Sequence, residues 1–119
     1  MSAQSSSQSL IQVSVEEFAR YRAETSETLQ LLDVREPQEV EIAYIEGFQV
    51  FPLSEFAEWS DRIQTQLDPH QATIVLCHHG VRSAQMCQWL MQQGFTNVKN
   101  LAGGIDAYSI TVDNSIPRY

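Results

Sequence analysis

Short apolar runs alternate along this chain with longer segments in which apolar and polar positions follow a helical period. The apolar runs contain mostly strand-forming residues, and they predict strands at 10–13, 28–34, 48–53, 73–77 and 97–101. The second of these runs is largely apolar along its length, which is typical of a strand covered on both faces.

The segments between the predicted strands carry signals for helix starts. Ser14 and Glu17 have the spacing of a capping box, so a helix should begin there. A proline suited to a first helical turn predicts a short helix over 37–42. Ser54 is placed to cap a helix over 55–67, where large apolar residues recur at helical spacing. Those apolar residues are Phe56, Trp59, Ile63 and Leu67.

The last third of the chain continues the alternation. A helix is predicted from Ser83 to Gln93, with Gly94 as the residue that ends it. The pair Gly103 and Gly104 predicts a turn that leads into a short helix. Strands that alternate with helices in this way indicate a three-layer α/β domain, with a mainly parallel central sheet and helices on both faces.

Length and composition fit one globular domain. The chain has 119 residues, of which 43% are hydrophobic and 18% charged, enough for one core and too few for two. We expect the domain at 10–110, between a flexible Ser/Gln-rich tail over 1–9 and a C-terminal tail over 111–119.

The net charge and the first residues of the chain limit the binding partners and the cellular location that we expect. A formal net charge of −8 argues against nucleic acid and anionic membranes as partners. We also expect a monomer. The first residues lack the basic and hydrophobic regions of a secretory signal, and no apolar run approaches the ~20 residues of a membrane span. We therefore expect a cytoplasmic protein whose two cysteines are free thiols.

Cys77 stands where the most strand-like run meets a helix. Ligands of open α/β sheets bind beyond the carboxyl ends of strands. Gly80 lets the backbone curl so that successive N–H groups point at a common centre, and the next helix and Arg82 add positive potential. These features favour the thiolate and predict that Cys77 is a nucleophile, although a small core residue at the end of a strand could have the same position.

Three stretches of the chain carry a combined signal: "LLDVREPQEVEIAYIEG", "CHHGVRSAQMCQWLMQQGF" and "VKNLAGGIDAYS". They resemble, in turn, the first motif, the active-site loop with its following helix, and the C-terminal signature of the single-domain rhodaneses, a thiosulfate sulfurtransferase-like family. The motifs lie in the family's order and spacing. The chain departs from the common pattern at 44–48, where many members have His-Ile-Pro-Gly-Ala, and at Tyr108, where many have Trp.

The resemblance implies a rhodanese-like fold and an enzyme that moves a sulfane sulfur from thiosulfate or a related donor to cyanide or a thiol. Cys77 would carry the sulfur as a persulfide, cradled by a six-residue loop, and no cofactor or metal is implied. The other loop residues are His78, His79, Gly80, Val81 and Arg82. A sulfur-relay or binding module that hands the persulfide to a partner protein would use the same chemistry, and it stays open as the alternative.

A phosphatase or arsenate reductase of the cell-cycle phosphatase type is the other rival, because those enzymes resemble rhodaneses in fold. Their loop is Cys-x₅-Arg, whereas Arg82 follows Cys77 by five positions and gives Cys-x₄-Arg. The tighter ring suits a single sulfur better than a tetrahedral oxyanion.

Polar residues at the end of another predicted strand could support this site. Asp33 and Arg35 should face the same rim as Cys77, either in direct contact with substrate or as structural support. For Arg35, an ion pair with Glu36 or Glu39 would pin the short helix.

The residues that follow the cysteine offer further support and one alternative chemistry. Ser83 follows the loop and is a candidate supporting residue. His78 and His79 could donate a hydrogen bond or a charge near the sulfur, or could be solvated. Their adjacency and the lack of partner ligands argue against zinc. Cys87 lies on the apolar face of its helix and should be a core residue.

Overall fold

The computed structural model describes residues 9–119, so residues 1–8 of the predicted N-terminal tail lie outside the described part of the chain. Five strands form one sheet in the order β1-β5-β4-β2-β3, and every neighbouring pair is parallel. The strands are β1 (Ile11–Val13), β2 (Gln30–Asp33), β3 (Gln49–Val50), β4 (Thr73–Leu76) and β5 (Val98–Leu101). The predicted α/β class and parallel sheet are confirmed.

Within residues 9–119, six α-helices surround the sheet. They are α1 (Val15–Glu24), α2 (Pro37–Ile42), α3 (Phe56–Trp59), α4 (Ile63–Gln66), α5 (Val81–Gln92) and α6 (Gly104–Thr111). The capping box that begins α1 is present, since the Ser14 and Glu17 side chains each accept the other's backbone N–H at 3.1 Å. None of the helices within the described residues is long and apolar enough to cross a membrane.

Alternation along the strands divides the core into two layers. In β4, Val75 packs in one buried cluster together with Trp59 and Leu90 from the helices on that face. Its neighbour Ile74 packs in the second cluster, which contains Phe18 of α1. Successive side chains of a strand point to opposite faces, so a central strand needs apolar residues throughout. The continuous apolar runs in the sequence follow from this.

The helix predicted over 55–67 is broken into short pieces. One 3₁₀ turn, Leu53–Glu55, precedes it and a second, Ser60–Arg62, interrupts it; Ser54 lies in the first turn and does not cap the helix. The Ser54 hydroxyl instead lies 2.5 Å from a Glu36 carboxylate oxygen. The predicted apolar stripe still packs inward because its spacing of three and four residues is compatible with both kinds of turn; its buried members are Trp59, Ile63 and Leu67.

Strand β3 is shorter than the predicted run over 48–53. Phe51 donates its N–H to the Asp33 carbonyl at 2.8 Å, but Pro52 has no N–H with which to continue the ladder. The strand therefore ends early and leaves the chain free to turn toward α3.

Strand order brings the ends of β2 and β4 together. In the register of these two strands, Asp33 is paired with Leu76. The residues that follow each strand, among them Arg35 and Cys77, therefore leave the sheet side by side at its carboxyl edge. The segment predicted as a C-terminal tail also returns to the domain, since Ile116 is buried and its carbonyl accepts the Ser109 hydroxyl.

Candidate active site

Cys77 follows β4 directly and is 1% exposed. Its Sγ accepts the backbone N–H of Gly80 at 3.0 Å and that of Ser83, in the first turn of α5, at 3.3 Å. Two fixed donors at the amino end of a helix are well placed to stabilise negative charge on this sulfur.

The loop is curled by contacts on its outer side. The carbonyls of Cys77 and His78 accept the N–H groups of Ile105 and Asp106, in the first turn of α6, at 2.9 and 3.1 Å. Gly80 has a φ of +100°, a conformation that a residue with a Cβ adopts only under strain. The bonds to α6 anchor the first two residues of the loop, and the positive φ of Gly80 turns the chain back toward α5, where the Gly80 and Ser83 amides reach the sulfur.

Ser83 and Asn100 flank the sulfur. Ser83 Oγ lies 3.2 Å from Cys77 Sγ and 2.5 Å from Asn100 Oδ1. The Asn100 amide group donates to the Gly80 carbonyl at 3.0 Å, which assigns Oδ1 as an acceptor. A hydroxyl carries one hydrogen. Ser83 can therefore donate to Asn100 while it accepts the thiol hydrogen, or turn its own hydrogen toward the thiolate.

Arg82 closes the loop through an ion pair with α2. Its Nη1 and Nη2 donate to Glu39 Oε1 and Oε2 at 2.8 and 2.9 Å. Hydrogen bonds from Arg82 lower the pKa of Glu39 from 4.5 to about 2, and the carboxylate in turn raises the pKa of Arg82. The positive potential expected from Arg82 is therefore largely matched in the fold by the Glu39 carboxylate.

Arg35 and Asp33 form a buried ion pair beside the loop. Arg35 Nη2 lies 2.7 Å from Asp33 Oδ2, and both side chains are almost wholly buried. Arg35 also donates to the Ala43 carbonyl at 2.9 Å. The expected ion pair of Arg35 with Glu36 or Glu39 is not the one that forms: Asp33 is the carboxylate partner, because both residues turn inward at the end of β2.

Three aromatic rings stack at the mouth of the loop. The His78 ring lies between those of His79 and Tyr119, with both centroid separations at 3.9 Å. Burial lowers the pKa of His78 and favours its neutral form. Its buried Nε2 has no hydrogen-bond partner among the described residues.

His78 and His79 lie close to Asp106, and their ligand atoms are within 4.8 Å of one another. Imidazole nitrogens bind zinc at ~2.0–2.1 Å, along lone pairs in the ring plane. Stacked rings have separate planes, so these two nitrogens do not converge on one point. Arg118 also donates to both carboxylate oxygens of Asp106, at 2.9 and 3.3 Å. The geometry does not suit a tetrahedral metal site.

Cys87 lies in α5 and is 0% exposed. Burial raises its pKa to about 12, with a further contribution from the charge of Cys77. Both cysteines are free. Cys87 therefore stays a neutral, buried thiol at physiological pH.

The broad cleft of 630 Å³ lies elsewhere, between α1, the end of α2 and the C-terminal segment. Its lining contains apolar side chains such as Ala19 and Ile116 but none of the residues of the cysteine loop. The chemistry-bearing groups converge on Cys77 and not on this cleft, so the cleft is not the candidate active site.

Sequence reasoning named the loop residues but missed several that hold them. Asn100 is a buried polar residue between Lys99 and Leu101 in β5, and an asparagine inside a predicted strand is a signal that could have been noticed. Glu39 was considered only as a partner for Arg35. Tyr119 carried no local signal, because its contacts are with residues 35, 39 and 78, which are distant in sequence.

Comparison with protein families gives one match over most of the chain. The model described as "Rhodanese-like domain" matches residues 14–111. A solved structure, a rhodanese-like domain protein from Staphylococcus aureus, superposes with a TM-score of 0.74 at 22% identity, covering 92% of this chain and 99% of the other. That likeness concerns the fold.

Curated relatives are longer than this chain. "Rhodanese-like/PpiC domain-containing protein 12, chloroplastic" of Arabidopsis thaliana is 54% identical over 90 residues, 76% of this chain and 30% of the relative. "Putative sulfur carrier protein YrkF" of Bacillus subtilis is 32% identical over 82% of this chain and 50% of its own length. "Adenylyltransferase and sulfurtransferase MOCS3-1" of Zea mays is 34% identical over 82% and 21%. The chain thus spans half or less of each.

The cytoplasmic location expected from the sequence is contradicted by the first of these relatives, whose name places it in the chloroplast. That prediction was wrong because the absence of a hydrophobic segment excludes only a secretory signal. Transit segments for plastids are Ser-rich and poor in acidic residues, and they need no hydrophobic stretch.

We expect Gly104→Ala to disturb the loop more than Gly94→Ala does. Both glycines have positive φ, so each substitution costs about 1–2 kcal/mol in backbone strain. A Cβ at Gly104 would also lie within 2.5 Å of the Cys77 carbonyl oxygen, whereas one at Gly94 meets nothing within 4 Å. The overlap should cost Gly104→Ala a further ~1–3 kcal/mol of unfolding free energy. Urea unfolding measures the difference, and equal losses would contradict the packing described for this turn.

The Arg82–Glu39 pair should make stability depend on acidic pH. The pKa of Glu39 is lower in the folded protein than the unfolded value of 4.5, so its contribution is present above pH 4.5 and is lost as pH falls toward 2. Glu39→Gln should lower the unfolding free energy by about 1 kcal/mol at pH 7, because Arg82 is partly exposed. The variant and wild type should converge near pH 2. Glu41→Gln, at an exposed position in the same helix, is the control; a constant gap between wild type and Glu39→Gln across this pH range would argue against the pair.

Proposed function

The chain belongs to the rhodanese-like domain family, and from that premise we propose that it is a sulfurtransferase that carries a sulfane sulfur as a persulfide on Cys77. Relatives named as a sulfur carrier and as a sulfurtransferase support sulfur transfer as the general activity. The observation that carries the proposal is the arrangement around Cys77 Sγ. Two backbone N–H groups and one hydroxyl converge on it within 3.3 Å.

These hydrogen-bond donors suit a site that holds a sulfur anion throughout the cycle. The negative charge is on Sγ in the thiolate and on the terminal sulfur in the persulfide. The Cys77 thiolate attacks the outer sulfur of the sulfur donor and forms a new sulfur–sulfur bond. The bond between that outer sulfur and the rest of the donor breaks, and its electron pair leaves with the rest of the donor. With thiosulfate the departing group is sulfite. An acceptor nucleophile then attacks the terminal sulfur of the persulfide, and the thiolate is regenerated. Backbone amides stabilise both anions without giving up a proton, so they do not quench either one.

The donor we propose to test first is thiosulfate, with cyanide or a thiol as the acceptor. In that role His78, His79, Gly80, Val81 and Arg82 form the loop around the transferred sulfur, and Ser83, Asp33 and Arg35 support it. No cofactor takes part in either transfer as proposed.

A sulfur relay to a partner protein is the second candidate, and one observation favours it. The charge of Arg82, which an anionic small donor would need, is already matched by Glu39 at 2.8 and 2.9 Å. A relay protein would receive its sulfur from a docked partner and would depend less on that charge. Relatives that join a similar domain to other activities are consistent with such a role for those proteins.

We expect the persulfide to be directly measurable. Incubation with thiosulfate, followed by removal of the donor, should leave the Cys77 peptide heavier by one sulfur, about 32 Da, and cyanide should discharge it. Because the sulfur is held covalently, steady-state kinetics should be ping-pong. Mass spectrometry of the loaded protein is the decisive measurement.

Variants at the two cysteines provide the controls. Cys77→Ser should lose adduct and turnover together, since a hydroxyl cannot form a persulfide. Cys87→Ala should keep both and lose only packing stability, about 1 kcal/mol for a small truncation in the core. Sulfur found on Cys87, or turnover in Cys77→Ser, would refute the proposal. Loading from a persulfidated protein but not from thiosulfate would select the relay.

Loop length provides a separate test against phosphate chemistry. We expect no hydrolysis of an aryl phosphate by the wild type. Insertion of one glycine between His79 and Gly80 should abolish sulfur transfer, because the Gly80 N–H would no longer lie 3.0 Å from Cys77 Sγ. An assay with p-nitrophenyl phosphate checks the first outcome, and rapid turnover there would favour the phosphatase class.

A further inference from the structure

The arginines at the carboxyl edge of the sheet are paired with carboxylates. Arg35 lies 2.7 Å from Asp33, Arg82 lies 2.8 Å from Glu39, and Arg118 lies 2.9 Å from Asp106. Each pair sums to no net charge. A small anion that approaches Cys77 therefore meets backbone amides but gains little from these three guanidinium groups.

Glu39 is held more firmly than an ordinary surface carboxylate. Its Oε1 accepts the Glu36 N–H at 2.9 Å, and its Oε2 accepts the Tyr119 hydroxyl at 2.9 Å, in addition to both bonds from Arg82. The Tyr119 hydroxyl in turn accepts a hydrogen bond from Arg35 at 2.9 Å. A donor anion that recruits Arg82 must therefore displace a carboxylate that is already oriented, and preorganisation favours the resident partner.

Tyr119 links this carboxylate to the cysteine loop. Its ring stacks on His78, the residue directly after Cys77, with an interplanar angle of 7°. Its hydroxyl reaches Glu39, which binds Arg82 at the other end of the loop. One side chain thus contacts the start of the loop and, through Glu39, steadies its end.

We propose that Glu39, held in place by Tyr119, is a specificity-determining residue that makes small anionic sulfur donors unfavourable substrates of the Cys77 site. The inference rests on sulfur transfer as the proposed function. It adds that the site selects its sulfur donor by the charge of that donor. Thiosulfate carries two negative charges, so it should load the wild-type protein more slowly than a variant in which Arg82 is released from Glu39.

The test compares two alkylating reagents of similar size, iodoacetate and iodoacetamide, which differ by one negative charge. Both attack the same thiolate, so the ratio of their second-order rate constants at Cys77 cancels any change in thiolate fraction or nucleophilicity. In Glu39→Gln this ratio, iodoacetate over iodoacetamide, should rise about three- to tenfold at low ionic strength, because the charge of Arg82 is no longer neutralised. High salt should remove most of that increase.

Matched variants separate the local effect from total charge. Glu41→Gln changes the net charge by the same amount at an exposed position of α2, and its ratio should change by less than about twofold. The double variant Glu39→Gln/Arg82→Gln should return toward the wild-type ratio, since the freed guanidinium is gone. Tyr119→Phe keeps the stacked ring, loses the hydroxyl that holds Glu39, and should give a smaller rise.

The outcomes distinguish this inference from the proposed function. An unchanged ratio in a folded Glu39→Gln protein, or an equal rise in Glu41→Gln, overturns the role of Glu39 even if Cys77 forms a persulfide. A selective rise in Glu39→Gln supports that role even if thiosulfate never loads the protein. Where loading does occur, KM for thiosulfate should fall severalfold in Glu39→Gln, and a KM that stays the same or rises would contradict the inference.

Discussion

The candidate site depends on hydrogen bonds from the first turn of α6 to the carbonyls of Cys77 and His78. A peptide group carries its N–H and C=O on opposite sides, so these bonds turn the N–H groups of His78 and His79 away from α6 and fix the start of the loop that leads to the Gly80 and Ser83 donors. Gly104 must lack a side chain for this approach, because a Cβ there would overlap the Cys77 carbonyl. The geometry of the sulfur site is therefore decided by a helix about 27 residues away in sequence, not by the loop alone.

The same edge of the sheet shows how a negatively charged protein can surround a buried cysteine sulfur with hydrogen-bond donors. The donors to Cys77 Sγ are backbone amides and a hydroxyl. The arginines nearby form ion pairs that connect elements of the fold. Arg35 pairs with Asp33 in the interior, and Arg82 connects the loop to Glu39 in α2. Local dipoles can stabilise the reacting atom while the summed charge around it stays close to zero.

The departures from the predicted elements have particular causes. The apolar stripe of Trp59, Ile63 and Leu67 was visible in the sequence, but the breaks in that helix were not, since its 3₁₀ turns satisfy the same spacing. Ser54 resembled a helix cap, and its hydroxyl instead pairs with Glu36, eighteen residues earlier in the chain. A local signal is overridden wherever the fold supplies a better partner.

The sequence by itself determined the layered α/β class, the parallel sheet and the position of Cys77 between a strand and a helix, because periodicity and turn chemistry are local properties of the chain. It also singled out Gly80 and Ser83, whose N–H groups lie against the sulfur, and Arg82, whose charge instead pairs with Glu39. Only the tertiary structure decided which partner each charge takes, since Glu39 and Tyr119 meet Arg82 and Arg35 across long separations in sequence. Pairing of that kind depends on strand order and on the return of the C-terminal segment to the domain. Neither of these produces a periodic pattern in the sequence.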